Sequence, residues 1–338
     1  MNFKKYFQEE ILTAKRLKHS GNNVLYRITT ASEDYLVKQY SELYKNHWNK
    51  AKKEFEAIST LFNKGFSVPR PIKFDDSKRI GIYSFESGRV LSPSEVSMPD
   101  IEKLAEFLAK LHSIDSKTKK GFAKERTCCL SIRDYAGLLQ KRYKNILSNF
   151  KGNEEDRKFL TTQVADCIEE LSSEVFKKVE FPDKKLTLEE QVVTPGDFGF
   201  HNALYENGRF TFIDFEYFGR DDPAKQVMDF LHHDKTRQIS RKLKLRFLET
   251  YSKSYRTDAK FYDRLQLIDS WIGLNWVLIY LNALSKDYQE HMKFSGKNVD
   301  RIVAQRIQKA ENKINNLRFF KTTINDSFKT INFGGNSV

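Results

Sequence analysis

Residues 195–217 read PGDFGFHNALYENGRFTFIDFEY, the most informative stretch of the chain. The segment ENGR at 206–209 predicts a tight turn between two short strands. The loop before this hairpin holds Asp197 and Asn202, and the returning strand leads into Asp214. Because a hairpin brings its two ends back together, we expect these three polar side chains to converge on one point.

The side chains in this stretch suit a particular kind of chemistry. Carboxylate and amide oxygens are hard ligands that suit Mg²⁺. A carboxylate beside them that binds no metal would orient or deprotonate an attacking hydroxyl. Asp and Asn also occupy turns for backbone reasons, so these residues alone leave open whether the hairpin serves chemistry or only its own turns.

The N-terminal quarter of the chain has strand patterns with one helix pattern among them. The predicted elements are strands at 24–28, 35–38, 72–74 and 80–83 and a helix from about Trp48 to Asn63. Strands with a single helix predict a small α+β layer.

Helical periodicity dominates the rest of the chain. Helices are predicted at 101–112, 132–147, 154–178 and from Ala224 to about Phe320. The change of character near 84–88 predicts an N-lobe over 1–86 and a C-lobe over 87–338. The fold class expected is therefore α+β, with a small β-rich N-lobe and a larger, mostly helical C-lobe.

Asp197-x4-Asn202 followed by Ile213-Asp214 resembles the HGDxxxxN and DFE signatures of the aminoglycoside phosphotransferase and choline kinase-like family. Further segments resemble that family in the same order, at 20–27, 35–38, 54–61, 68–71 and 104–114. The resemblance covers about residues 17–233. It implies a bilobal protein kinase-like fold and ATP-dependent transfer of the γ-phosphate to a hydroxyl of a small molecule.

The resemblance also implies roles for single residues. Lys38 would hold the α- and β-phosphates, and Glu54 would hold Lys38 through an ion pair. Asn202 and Asp214 would bind Mg²⁺. Asp197 would accept the hydrogen bond of the acceptor hydroxyl as it attacks. Because phosphoryl transfer depends mainly on positioning and charge, these parts are mutually consistent.

The resemblance also indicates which residues surround the rest of the nucleotide, beyond its phosphates. Gly21 and Asn22 would belong to the loop that covers the nucleotide, and adenine would lie near Ser84 and Glu86 at the lobe junction. ATP is the expected donor, with GTP left open. Glu56 competes with Glu54 as the partner of Lys38, and Glu54 is preferred because it stands seven residues before Leu61.

Two positions depart from the family pattern. Pro195 stands where the family has a histidine, and Gln226 stands where it commonly has an acid. Asp229 is expected either to take over the scaffold role of that acid or to face solvent.

The histidines of this region are not part of the family signature. His201 is expected either to contact phosphate or substrate or to serve packing. His112, His232 and His233 are interpreted as structural residues.

The net charge of +13 bears on the acceptor, because the segment from Lys235 onward contributes +11 of it. A basic segment is a poor match for polycationic aminoglycosides. We therefore expect a sugar or sugar-derived acceptor, anionic ones included. The alternatives are an aminoglycoside, or an amino alcohol such as choline or ethanolamine held by an aromatic cage. Aromatic residues at helical spacing would either supply that cage or belong to the core, namely Trp271, Trp276 and Tyr280.

Two other classes of function fit the sequence less well. A nucleotide-binding pseudokinase is disfavoured because the signature residues are all present. A nucleic-acid binder is disfavoured because no known module appears. Basic residues at helical spacing are expected on an exposed face of a surface helix, namely Arg301, Arg306, Lys309, Lys313 and Arg318.

Cysteine content and hydropathy bear on location. Three cysteines form neither a disulfide framework nor a metal-ligand pattern. The longest apolar run, 271–284, is too short to cross a membrane and fits a buried helix. With no signal peptide at the N-terminus, we expect a cytoplasmic protein without a membrane span.

Overall fold

The structure is a computed structural model that describes residues 3–17, 23–40, 49–255, 257–294 and 297–328. Gly21 and Asn22, which were expected to cover the nucleotide, lie outside the described residues. So does Trp48, at the start of the first predicted helix.

An antiparallel sheet of five strands forms the N-lobe. Its strands are β1 (Thr13–Arg16), β2 (Val24–Thr29), β3 (Asp34–Gln39), β4 (Pro71–Asp75) and β5 (Ile80–Ser84). Their order is β1-β2-β3-β5-β4, so β3 lies in the middle, paired with β2 and β5. The four predicted strands are confirmed. β1 is an addition that the sequence does not signal, because all four of its residues are exposed.

Helix α1 (Asn49–Asn63) connects the sheet to the rest of the molecule. Its Ala57, Ile58 and Leu61 are buried in the main hydrophobic core, which continues into the C-lobe. The helix ends just before Gly65, whose φ of 70° allows the left-handed turn that closes a helix. The helix therefore has one face on the sheet side and one on the C-lobe.

The C-lobe is mostly helical, as expected. Its helices are α2 (Met98–His112), α3 (Ser116–Lys120), α4 (Ile132–Ser148), α5 (Glu154–Phe159), α6 (Ala165–Phe176), α7 (Pro223–His232), α8 (Arg241–Tyr255), α9 (Ala259–Leu281), α10 (Lys286–Phe294) and α11 (Val299–Phe328). The single helical region predicted after Ala224 is thus five separate helices. The lobes are joined after β5; the domain boundary at residue 86 stays a prediction.

Two short antiparallel strand pairs lie within the C-lobe. The predicted hairpin is present as β7 (Ala203–Glu206) and β8 (Arg209–Phe212). A second pair joins β6 (Val192–Thr194) to β9 (Gly219–Asp221). This second pair brackets the whole signature loop, so both ends of the stretch at 195–217 are fixed to one piece of sheet.

Helix α9 forms the centre of the C-lobe. The span Ala259–Leu284 is long and apolar enough to cross a membrane, but 78% of its most apolar window is buried inside the protein. Trp271, near the middle of this helix, is 1% exposed and contacts Tyr135 and Phe176. The expectation that the apolar run is a buried helix is confirmed.

Helix α11 packs against α9, and this corrects the expectation of an exposed basic face. Lys313 is 5% exposed, and Arg306 donates to the backbone oxygen of Ile279 at 3.2 Å. Arg301 remains exposed, and the side chain of Arg318 lies outside the described residues. The reason is that apolar residues share the same stripe and bury it, namely Val303, Ile307, Ala310, Ile314 and Leu317.

Candidate active site

Lys38 lies at the centre of the cleft between the lobes. Strand β3 places it opposite Gly81 of β5, and it is only 7% exposed. Its Nζ lies 2.8 Å and 3.0 Å from the two carboxylate oxygens of Glu54 and 2.9 Å from Asp214 Oδ1. Burial opposes the charged form, but the two carboxylates outweigh it and raise the pKa of Lys38 well above its usual value. The ammonium group is therefore charged at neutral pH.

Glu54 is held from a second side. It is 2% exposed, and its Oε2 accepts a hydrogen bond of 2.6 Å from the Tyr40 hydroxyl. Glu56, the competing residue, is exposed and lies near Lys52 at 3.9 Å. The structure thus brings Glu54 and not Glu56 to Lys38. Tyr40 was missed because nothing in the sequence pattern marks a tyrosine two residues after the lysine as a partner of this pair.

Asn202 and Asp214 are joined by the hairpin. The backbone N–H of Ile213 donates to the Asn202 carbonyl at 2.9 Å, which fixes Asp214 one residue further on. Asp214 has a φ of 65°, a left-handed conformation that few residues other than glycine adopt, and its carboxylate reaches Lys38. Strain of this kind is common at functional sites.

The donor set at this point fits Mg²⁺. The Asn202 amide nitrogen donates to the Asp197 carbonyl at 2.9 Å, so the amide oxygen is the atom left to bind a cation. The Asp214 side chain is 43% exposed, and Lys38 contacts one of its two oxygens. Carboxylate and amide oxygens open to solvent are what a partly hydrated Mg²⁺ needs.

Asp197 lies in the loop between β6 and β7. Its side chain is 46% exposed, and its Oδ1 lies 2.9 Å from His201 Nε2 and 3.8 Å from His233 Nε2. Burial would raise the pKa of this carboxyl, but the imidazoles outweigh it and lower the pKa below its usual value. Asp197 is therefore an ionised carboxylate at neutral pH that is still accessible from the cleft.

A profile of the phosphotransferase enzyme family (APH) matches residues 13–267, about three quarters of the chain. The chain belongs to this family. The family resemblance inferred from the sequence and the expectation of a phosphotransferase with an alcohol acceptor are confirmed. No curated protein sequence matches the chain significantly.

Solved structures with a kinase-like fold resemble this APH-family protein over nearly its full length. Choline kinase from Cryptosporidium parvum has a TM-score of 0.64 at 14% identity, covering 95% of this chain and 94% of that one. Spectinomycin phosphotransferase in complex with ADP and spectinomycin has 0.61 at 15%, covering 91% and 94%. Plasmodium vivax ethanolamine kinase has 0.58 at 18%, covering 91% and 85%. The bilobal α+β, protein kinase-like fold is confirmed.

The histidines considered in the sequence of this APH-family chain lie in two kinds of environment. His112 is buried with its Nδ1 2.7 Å from the Tyr251 hydroxyl, and His232 is buried with its Nε2 2.6 Å from Asp269. Both are structural, as expected. The structural interpretation of His233 stays a prediction, although its ring lies beside Asp197, a contact that the sequence did not predict. The contact was missed because it joins the end of α7 to a loop more than thirty residues away.

The two departures from the family pattern are accommodated in the core. Pro195 is buried at the start of the loop. Gln226 is 3% exposed and accepts a hydrogen bond from the Thr194 hydroxyl. Asp229 lies 3.4 Å from the buried Lys225, which favours the scaffold role over the solvent-facing one. A neutral amide at 226 is therefore compatible with the fold of the family.

The lobe junction carries Ser84 and Glu86, the residues expected beside adenine. The Ser84 hydroxyl donates to the Glu86 carboxylate and accepts from the backbone N–H of Arg70 at 2.8 Å. The Phe85 N–H donates to the Asp34 carbonyl at 3.0 Å. Hydrogen bonds therefore fix the junction to the N-lobe. Adenine binding at the junction stays a prediction.

Lys50 is a further residue that sequence reasoning did not identify. Its Nζ lies 2.7 Å from Glu216 Oε1 and 3.1 Å from the Tyr217 hydroxyl. Lys50 and Glu54 are four residues apart on α1, so one helix face reaches both Glu216 and Lys38. This contact joins the N-lobe helix to the segment that follows Asp214.

Proposed function

We propose that this APH-family enzyme transfers the γ-phosphate of ATP to the hydroxyl of a small amino alcohol of the choline or ethanolamine type. The observation that best supports phosphoryl transfer is the position of Lys38 Nζ, which lies within 3.0 Å of both Glu54 and Asp214. A nucleoside triphosphate is bound by a charged lysine that contacts its phosphates and by a carboxylate that holds the metal ion.

The donor and its cation follow from the same cleft. The similar spectinomycin phosphotransferase was solved with ADP, which supports ATP as the donor here. Lys38 would bind the α- and β-phosphates, and Asn202 with Asp214 would hold Mg²⁺. When bound, the cation stabilises the negative charge on the phosphates during transfer.

Asp197 is the residue best placed to receive the acceptor. Its lowered pKa keeps it ionised, and its exposed side chain leaves an oxygen open to the cleft. An ionised carboxylate of this kind would orient the attacking hydroxyl and accept its hydrogen bond.

The aromatic residues near Asp197 favour an acceptor with a single ammonium group. Trp271 belongs to the core and Tyr280 is 4% exposed, so the three-ring cage is not formed. Trp276 is only partly buried, and its ring lies 4.9 Å from that of His233, which in turn contacts Asp197. A partly exposed indole that adjoins Asp197 through the His233 ring would suit a cation–π contact with one ammonium.

Aminoglycosides fit this surface less well. They carry several positive charges and need several free carboxylates. Asp234 lies close to this region, but its two oxygens already accept hydrogen bonds from Tyr280 and Lys309 at 3.0 and 2.7 Å. The observed pairing therefore favours the smaller amino alcohols.

An anionic sugar derivative is the second candidate acceptor. The similar solved structures cited above are choline, ethanolamine and spectinomycin kinases, so they offer a sugar acceptor no support. What favours it is the +11 net charge of the segment from Lys235 onward. Two cations of α11 count against it, because Lys309 is paired with Asp234 and Lys313 is buried against His232.

The test is a panel of acceptors assayed for ADP release with Mg-ATP and for GDP release with Mg-GTP. The panel contains choline, ethanolamine, an aminoglycoside, a neutral sugar and an acidic sugar. We expect choline or ethanolamine with ATP to give the highest kcat/KM. Transfer to the acidic sugar alone would reverse the order of the two candidates.

Asp197→Ala separates an enzyme from a nucleotide-binding regulator. It should abolish turnover while Mg-ATP still binds, because Asp197 does not contact Lys38. Asp183→Asn, on the surface beside Arg133, is the matched control and should leave kcat unchanged. A wild-type protein that binds Mg-ATP but phosphorylates nothing on the panel would support the pseudokinase alternative.

A further inference from the structure

We propose that His201 and His233 are a pair of positioning residues for Asp197. They hold one oxygen of its carboxylate, Oδ1, and leave the other oxygen to face the acceptor hydroxyl. The proposal deepens the proposed function and rests on it for the role of Asp197. The contacts themselves can be tested without any turnover.

The two imidazoles approach the same carboxylate oxygen, His201 at hydrogen-bonding distance and His233 further away. His201 Nε2 lies 2.9 Å and His233 Nε2 lies 3.8 Å from the same atom, Asp197 Oδ1. The rings are parallel to within 5°, with centroids 3.8 Å apart. Two stacked rings therefore present their Nε2 atoms to one oxygen atom, and the His201 nitrogen is the one that hydrogen-bonds to it.

The surroundings of each ring fix which nitrogen carries the proton. His233 Nδ1 accepts a hydrogen bond of 3.1 Å from the backbone N–H of Lys235, so its proton is on Nε2. His201 Nδ1 is buried with no hydrogen-bond partner among the described residues, whereas its Nε2 faces the carboxylate. In both rings the Nε2–H group therefore points to Asp197.

The same tautomers argue against a metal ion at this cluster. The ligand atoms of Asp197, His201 and His233 lie within 4.8 Å of one another, close enough to surround a cation. A metal on His233 Nε2 would need that nitrogen deprotonated and the proton on Nδ1. The Lys235 N–H already occupies the Nδ1 lone pair. His201 is thus arranged to donate a hydrogen bond to the carboxylate, and His233 directs its Nε2–H towards the same oxygen.

The fold places each ring by close packing. A Cβ atom on Gly199 would lie 2.7 Å from His201 Nδ1 and Cε1, so this position admits the ring only as glycine. His233 follows the last residue of α7, and the edge of its ring meets Trp276 at 4.9 Å and 88°. Asp197 is therefore held between its own loop and the end of a core helix. A base fixed in this way loses less orientational freedom when the hydroxyl arrives.

The first test measures the tautomers by NMR on protein labelled with [¹⁵N]histidine. We expect both His201 and His233 to be Nε2–H tautomers, with N–H signals that shift when Asp197 is replaced by alanine. His112→Gln serves to assign a histidine remote from the site. An Nδ1–H tautomer at either ring, or signals unchanged in Asp197→Ala, would overturn the proposal.

The second test measures kinetics with Mg-ATP and choline. His201→Ala and His233→Ala should each lower kcat about 10- to 100-fold, the range of a charged hydrogen bond, with KM for ATP within about twofold of wild type. His201→Gln, which keeps a donor near the Nε2 position, should recover most of the loss. His112→Gln should lower thermal stability and leave kcat unchanged.

The outcomes separate this proposal from the proposed function. If His201→Gln is as slow as His201→Ala, or if KM for ATP rises while kcat stays constant, the positioning role is wrong. A metal chelator that raises the rate at saturating Mg²⁺ would also overturn it, because the cluster would then bind a second cation. A wild-type protein that phosphorylates neither choline nor ethanolamine contradicts the proposed function, and the NMR result alone then decides the histidine pair.

Discussion

The ion pair between Lys38 and Glu54 makes the sharpest prediction, tested by a double-mutant cycle of Lys38→Met, Glu54→Gln and the double variant. The two side chains are 9% and 3% exposed, so neither charge can be left to water when its partner is removed. Each single variant should therefore be destabilised, and the double variant should be less destabilised than the two single effects added together.

The structure sets the size of each step. Breaking a buried pair costs about 3–5 kcal/mol because it leaves an uncompensated charge. Glu54→Gln should fall near about 3 kcal/mol, since Lys38 keeps Asp214 at 2.9 Å. Lys38→Met should cost more, because both carboxylates lose their cation. An unfolding entropy of about 2 cal/mol/K per residue means that about 3 kcal/mol lowers Tm by roughly 4 °C in a chain of 338 residues.

Thermal and denaturant unfolding of the four proteins measure the cycle. The matched control is Lys52→Met with Glu56→Gln, an exposed pair 3.9 Å apart on the same helix, which should change stability by less than about 0.5 kcal/mol. The reasoning is refuted if the Lys38 and Glu54 effects are additive, or if the exposed pair costs as much as the buried one.

Three further predictions concern the cation, the loop and acid stability. Asp214→Asn should raise the Mg²⁺ concentration for half-maximal ADP release about 10-fold, and an unchanged Mg²⁺ titration would contradict its role as a ligand. Gly199→Ala should displace the His201 ring and lower kcat, whereas Gly137→Ala, with open space around it, should not. Burial lowers the pKa of His112 from 6.5 to about 3, so the folded state disfavours its protonation. Wild-type stability should fall as pH drops from 6.5 towards 3, by up to about 1.4 kcal/mol per pH unit from this group, and denaturation of His112→Gln should show a smaller loss.

The elements that the sequence predicts are those whose burial repeats with a local period. The hairpin at 203–212 and helix α2 follow from turn residues and a leucine stripe. β1 and β9 were not predicted, because β1 is exposed throughout and β9 is three residues long. The breaks between α7 and α11 were missed for a related reason. Apolar residues occur on all sides of α9, so hydropathy does not show where one helix ends and the next begins.

In the site, too, residues that belong to short motifs could be predicted, whereas residues brought in by long-range contacts could not. Lys38 and Glu54 were found through short motifs, and the structure joins them as expected. Tyr40 and Lys50 were not predicted, because each acts through a contact with a residue on another element, Tyr40 with Glu54 and Lys50 with Glu216. His233 is the clearest case, since only the packing of α7 against the loop brings it to Asp197.

The contacts made by lysines of the basic segment, from Lys235 onward, show why net charge did not identify the acceptor. Counting +11 after residue 234 treats every lysine and arginine as free to meet a ligand. In the structure Lys309 is paired with Asp234, and Lys313 is buried against His232. Such cations act within the protein, and burial lowers the pKa of Lys313 to about 7, which reduces its charge further. Acceptor preference must then depend on the side chains around Asp197, which include His233 and, through its ring contact, the partly exposed Trp276.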